Sequence, residues 1–131
     1  MRRQLDSVLR FRAAHKFSTK RAEIDGYKFQ SQPEARRYLT LKLLESAGEI
    51  ADLKVHPRFK IEHEGVDICT VVLDFAYIAL REGGRVRYED VKQQRIGRDG
   101  KVKYSTDTRH SRIGRKLLKA FKKIDVDVVF A

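Results

Sequence analysis

A chain of 131 residues is long enough for one domain with a single core, and a hydrophobic fraction of 41% excludes disorder by composition. A lone cysteine, Cys69, excludes an intrachain disulfide framework and any Cys/His zinc pattern; set in an apolar run, it reads as a small buried hydrophobe. The formal net charge of +11 calls for a polyanionic partner, with nucleic acid the first candidate and an acidic membrane surface the second.

In chain order, residues 1–22 carry Arg2, Arg3, Arg10, Arg12, Lys16, Lys20 and Arg21 against Asp6 alone. They read as a basic arm, with a helical turn around Leu5–Phe11, ahead of one domain over 23–131. The arm lacks the apolar segment of a signal peptide, and no run approaches the length of a membrane span, so an intracellular, cytoplasmic location is expected. Asp25-Gly26, flanked by Ile24 and by Tyr27 and Phe29, predicts a hairpin. Ser31 with Glu34 three residues later forms a capping box, Pro33 is tolerated in a first turn, and Gly48 stops the element. A helix over 32–46 follows, with Ala35, Tyr38, Leu39, Leu41, Leu43 and Leu44 as a broad apolar face.

Three strand-like runs come next: "RFKIEHE", "DICTVVLDFAYIAL" and, after the "REGG" turn, "RVRYEDVKQQ". Residues 95–109 read as a loop or an irregular hairpin. "HSRIGRKLLKAFKKI" is a basic amphipathic helix with Ile113, Leu117, Leu118, Phe121 and Ile124 in its apolar stripe. "DVDVVF" closes the chain as a strand that lies parallel to an inner strand after the helical crossover. The fold class is α/β: a central mixed sheet, an antiparallel meander plus the final strand, flanked by helices.

Charge in the wrong place marks the site. Asp90 and Lys92 are two apart in a strand and share a face, while the adjacent Glu89 points to the other. Asp74 interrupts the most apolar run, where an ionised carboxylate is costly without a partner. With a loop over 82–84, Arg81 faces Arg85 and Asp74 faces Lys92. An odd loop or a bulge is required to bring Asp74 onto the face of Asp90 and Lys92. Two carboxylates and a lysine converging on a sheet suit phosphodiester hydrolysis. The carboxylates are hard oxygen ligands for Mg²⁺, which Mn²⁺ can replace, and the lysine holds a phosphate oxygen or the attacking water.

"LDFAY" followed by "EDVK" resembles the D-x(n)-(D/E)-x-K motif of the PD-(D/E)xK nuclease superfamily, and the element order is similar to that superfamily's restriction-endonuclease-like core. "IDGYKFQSQPEARRYLTLKLLESAGEIADL" resembles a block found in small phage proteins thought to be Holliday junction resolvases of the archaeal type. The resemblance covers roughly residues 20–95 with the closing helix and strand. It implies that Asp74 and Asp90 bind metal, that Glu34 completes the metal shell, that Lys92 is the motif lysine, and that Gln94 and Ser31 line the site. Gln93 stands where the phage proteins have glycine, and Leu73 where the superfamily's name has proline.

The expected function is therefore a Mg²⁺-dependent, structure-selective DNA endonuclease acting on four-way junctions as a homodimer, with no membrane partner. Arg95, Arg98, Lys101, Lys103, Arg109 and Arg112, with the arm, are the expected DNA contacts. The alternatives are another nuclease of the superfamily, of restriction, repair or transposase type, and a non-catalytic basic DNA-binding module. The second helix or the ribbon near Tyr27 and Phe29 would form the dimer surface.

Overall fold

The computed structural model describes residues 21–130, so the expected helical turn and the arm residues Arg2, Arg3, Arg10, Arg12, Lys16 and Lys20 lie outside it. The domain opens with a ribbon of β1 (Ala22–Ile24) and β2 (Tyr27–Phe29). Asp25 and Gly26 both take positive φ, 53° and 81°, the turn whose twist matches that of paired strands. Helix α1 (Gln32–Ser46) follows, with the Ser31 hydroxyl accepting the Glu34 N–H at 3.2 Å. Gly48 at φ 75° ends it.

Next come β3 (Ile50–Val55), β4 (Arg58–His63), β5 (Val66–Val72), β6 (Phe75–Ala79), a short 3₁₀ turn (Leu80–Glu82) and β7 (Arg85–Lys92). A ribbon of β8 (Gln94–Ile96) and β9 (Val102–Ser105) leads to α2 (Arg109–Lys122) and β10 (Val126–Phe130). The central sheet runs β10-β7-β6-β3, with β10 parallel to β7 and the other pairs antiparallel. The mixed sheet with a parallel final strand matches the expectation, and residues 95–109 contain the irregular hairpin.

Two expectations about the meander need correction. β3 was not foreseen, because Asp52 and Lys54 blur its alternation; Asp52 sits at positive φ where the β3–β6 register shifts. The run "RFKIEHE" does not enter the central sheet. It forms β4, which pairs with β5 as a separate hairpin inserted between β3 and β6. The long apolar run therefore breaks at Leu73-Asp74 into β5 and β6.

The sheet separates two cores. On one face Phe29, Ala35, Tyr38 and Leu41 pack on Ile50, Phe75, Tyr77, Ala79 and Val91. On the other, Ile61, Leu73 and Leu118 gather Phe59, Cys69, Val71, Tyr88 and Val126, so Cys69 is a half-buried packing residue there. Each fully buried large side chain contributes about 2–3 kcal/mol. The buried stripe of α1 is narrower than its sequence suggests: Leu39 and Leu43 point outward, Leu43 at 72% exposure. Phe29 is buried in the first core and unavailable as a dimer surface, which leaves Tyr27 as the exposed ring of that ribbon.

Candidate metal centre

Strands β6 and β7 are the inner pair of the sheet, and the start of β6 lies at the same end of it as the finish of β7. The connection over 80–84 has an odd number of residues and pairs Ala79 with Arg85 and Phe75 with Glu89. This register lies two positions from the expected one, which would have set Phe75 across from Val91. Odd parity survives the shift. The same register carried one residue further sets Asp74 across from Asp90 instead of Lys92. Gly83 and Gly84, at φ 71° and 81°, make the tight return that other residues would strain to adopt.

Asp74 lies between strands rather than within one. Its N–H donates to the Glu89 carbonyl at 3.1 Å, and its own carbonyl accepts the His56 N–H at 2.9 Å. The carboxylate Oδ2 accepts the Val91 N–H at 2.6 Å. Burial, then the Glu34 charge, and then Asp90 push this carboxyl up to about 9; the Val91 bond opposes them. A carboxyl so placed takes up either a proton or a cation.

Glu34 reaches the same spot from the first turn of α1. Its Oε2 accepts the Gln30 N–H at 3.0 Å, one residue before the N-cap, so the capping box is closed in a shifted form. Its Oε1 meets His56 Nε2 at 2.7 Å. Ligand atoms of Glu34, His56 and Asp74 all lie within 4.8 Å of one another. Sequence reasoning missed His56. It stands at φ 53° just past β3, and only the pairing of Val55 with Phe75 brings it beside Asp74. A lone "HP" carries no signal until β3 is recognised.

Asp90 is buried, and its carboxylate is shared by two cations: Arg115 Nη1 at 3.2 Å and Lys92 Nζ at 3.4 Å. Lys92 also donates to Ser111 Oγ at 2.9 Å, and Arg115 grips Asp107 at 2.8 and 3.0 Å. The Arg115 hydrogen bonds hold the Asp107 carboxyl below the ordinary carboxylate range. The first two turns of α2 thus brace the end of β7.

Glu34, Asp74, Asp90 and Lys92 line one pocket of about 240 Å³. Ser31 borders it, as expected. Gln94 does not: it turns outward in β8, and its neighbour Gln93 lines the pocket with Thr106. The chain leaves β7 at Gln93, so the strand's alternation does not carry through to Gln94. Asp90 and Lys92 also border a second cavity of about 240 Å³ against Ser111 and Arg115, and so form the wall between the two. Glu89 faces away, as expected. It is buried against Arg37, whose Nε and Nη2 donate at 2.8 and 2.6 Å, and against the Tyr77 hydroxyl.

The donor set fits a hard divalent cation. Asp74 and Glu34 offer clustered oxygens; Asp90 stands beside Asp74 but outside that cluster, its oxygens paired with Lys92 and Arg115, and the pocket leaves room for the waters that Mg²⁺ keeps. His56 is a softer ligand, and its bond to Glu34 instead orients that carboxylate. The expected DNA-contact residues Arg21, Arg95, Arg98, Lys101, Lys103, Arg109 and Arg112 are all exposed, and Arg112 also donates to the Asp107 carbonyl at 2.7 Å. No helix among the described residues is long and apolar enough to cross a membrane.

No curated protein and no solved structure matches the chain. One family does, across residues 14–122, a span that takes in every residue of the pocket and ends with α2. The chain belongs to the family described as "Protein of unknown function (DUF1064)".

Proposed function

We propose that the chain is a Mg²⁺-dependent endodeoxyribonuclease of the PD-(D/E)xK type that resolves four-way DNA junctions as a homodimer, inside the cell. The observation that carries this reading is the gathering of Glu34, Asp74, Asp90 and Lys92 around one pocket. Asp74, Asp90 and Glu34 would hold Mg²⁺, or Mn²⁺ in its place. The ion, when bound, acidifies a water and offsets charge on the phosphate in the transition state. His56 holds Glu34 in its orientation. Arg115, itself held by Asp107, fixes the Asp90 carboxylate in the wall of the pocket. Lys92, steadied by Ser111, presents its ammonium to a scissile phosphate oxygen or to the attacking water. The exposed basic residues of α2 and the β8–β9 ribbon hold flanking phosphates, contacts that position DNA without reading its sequence.

A non-catalytic DNA-binding module is the competing reading, favoured by the fact that Lys92 and Arg115 already neutralise Asp90. One experiment separates the two. A labelled four-way junction and a linear duplex are incubated with the protein in Mg²⁺, Mn²⁺ or EDTA, beside Asp74→Asn. Paired symmetric nicks near the branch, lost in EDTA and in the variant, are the expected result. Equal cutting of duplex would make it a different endonuclease of the same superfamily. Tight binding with no cut in either metal would leave the module.

A further inference from the structure

The β8–β9 ribbon stands apart from the central sheet. None of its residues is buried; Ile96 and Val102 are each 56% exposed and Tyr104 is 52% exposed. Two strands alone are marginal in water. Here the base is clamped: the Thr106 N–H donates to the Gln93 carbonyl at 2.9 Å and the Gln93 N–H to Thr106 Oγ1 at 2.8 Å. Both clamp residues line the carboxylate pocket. The ribbon is therefore held firmly at the site while its apolar side chains stay in solvent.

Its charge is equally one-sided. Asp99 pairs with Lys103, and Arg95, Arg98 and Lys101 have no carboxylate partner among the described residues. The register places Tyr104 directly across from Arg95, on one face, and Val102 across from Ile96. A ring paired across the strands with a guanidinium that has no carboxylate partner among the described residues suits a ligand that is flat, apolar on its faces and anionic at its edge. An unstacked nucleotide has that chemistry, and aromatic stacking is tolerant of base identity. Paired duplex offers phosphates but hides its base faces.

We propose that Tyr104, flanked by Arg95, is a stacking platform for an unpaired base at a DNA branch, placed beside the phosphodiester to be cut. The proposal rests on the nuclease reading and adds the feature of the substrate that is recognised. A base seated on Tyr104 lies one clamp away from Gln93 and Lys92, which couples branch recognition to the pocket.

The test measures binding without cleavage. Asp74→Asn protein in EDTA is titrated with a four-way junction carrying 2-aminopurine at the branch, and with a duplex of the same length. Tyr104→Ala should weaken junction binding about tenfold, leave duplex binding within about twofold, and abolish quenching of the branch fluorophore. Tyr104→Phe should retain all three, and Arg98→Ala should weaken both DNAs alike by lowering the salt slope. Equal losses on both DNAs, or no loss, would overturn the platform. A Tyr104-dependent junction preference in a protein that never cuts would keep the platform and remove the nuclease.

Discussion

Glu89 and Asp90 are neighbours in β7 and face opposite sides of the sheet, and their surroundings could hardly differ more. Glu89 is closed in: a two-pronged Arg37 and the Tyr77 hydroxyl use its oxygens, and the first core surrounds it. Burial and the Glu89 bond push the Tyr77 hydroxyl up to about 12, and the same carboxylate raises the Arg37 guanidinium. Asp90 is also ion-paired, yet it opens onto a pocket shared with Asp74, Glu34 and Lys92. A buried carboxylate with all its partners supplied is architecture. The member of that pocket held at a cost is Asp74, crowded by Glu34 and Asp90 beside open space, and a cation relieves that arrangement.

The contrast gives ordered expectations. The largest concerns cleavage: Asp74→Asn and Asp90→Asn should each reduce the single-turnover rate on a four-way junction by about 10²–10³-fold. Glu89→Gln, corrected for folded fraction by circular dichroism, should stay within about threefold. A loss from Glu89→Gln as large as that from Asp90→Asn would erase the distinction.

Stability should reverse the ranking. In urea denaturation Glu89→Gln should cost about 2–4 kcal/mol, because it strands Arg37 and the Tyr77 hydroxyl. Asp90→Asn should cost about 1 kcal/mol or less, since Arg115 keeps Asp107. Truncating one bond instead of the charge, Tyr77→Phe should cost about 1 kcal/mol and leave cutting unchanged.

The pH dependence tests the pocket without any substrate. The Asp74 carboxyl is pushed up to about 9, so between the ordinary carboxylate range and that value the folded chain holds a proton that the unfolded chain has lost. The unfolded state then binds fewer protons, and this group's contribution to stability falls as pH rises. Melting in EDTA should show that decline, and Asp74→Asn should flatten it. Added Mg²⁺ should raise the melting temperature more at pH 8 than at pH 5. A metal effect independent of pH would argue against Asp74 as a ligand. The smallest effect is expected at Gln94: Gln94→Ala, exposed in β8, should change stability by less than about 0.5 kcal/mol and leave the cutting rate untouched.

Local chemistry was readable from the residues. Asp25-Gly26 made its hairpin, Ser31 and Glu34 started α1, Gly48 stopped it, and the "DVDVVF" run became the parallel strand β10. The hairpin and the two ends of α1 depend on interactions within a few residues, where side-chain type sets backbone choice directly; β10 was legible from its valine run and the helical crossover before it. The opposite faces of Glu89 and Asp90 were equally plain, because alternation is a property of one strand.

What needed the fold was everything that depends on which strand meets which. β3 carries Asp52 and Lys54 and resembles no strand until β6 pairs with it, and with β3 unrecognised His56 had no place in the site. The 80–84 connection shifted the partner of Asp74 from Lys92 to Asp90, a choice that backbone pairing makes and composition does not. Gln94 left the site because β7 ends at Lys92 and Gln93 is clamped to Thr106. Arg37 found Glu89, and Arg115 found Asp90, across long stretches of chain. The sequence named the charged residues that did not belong in a strand. Register, a collective property of paired backbones and two packed cores, decided which of them share a pocket and which are sealed away from it.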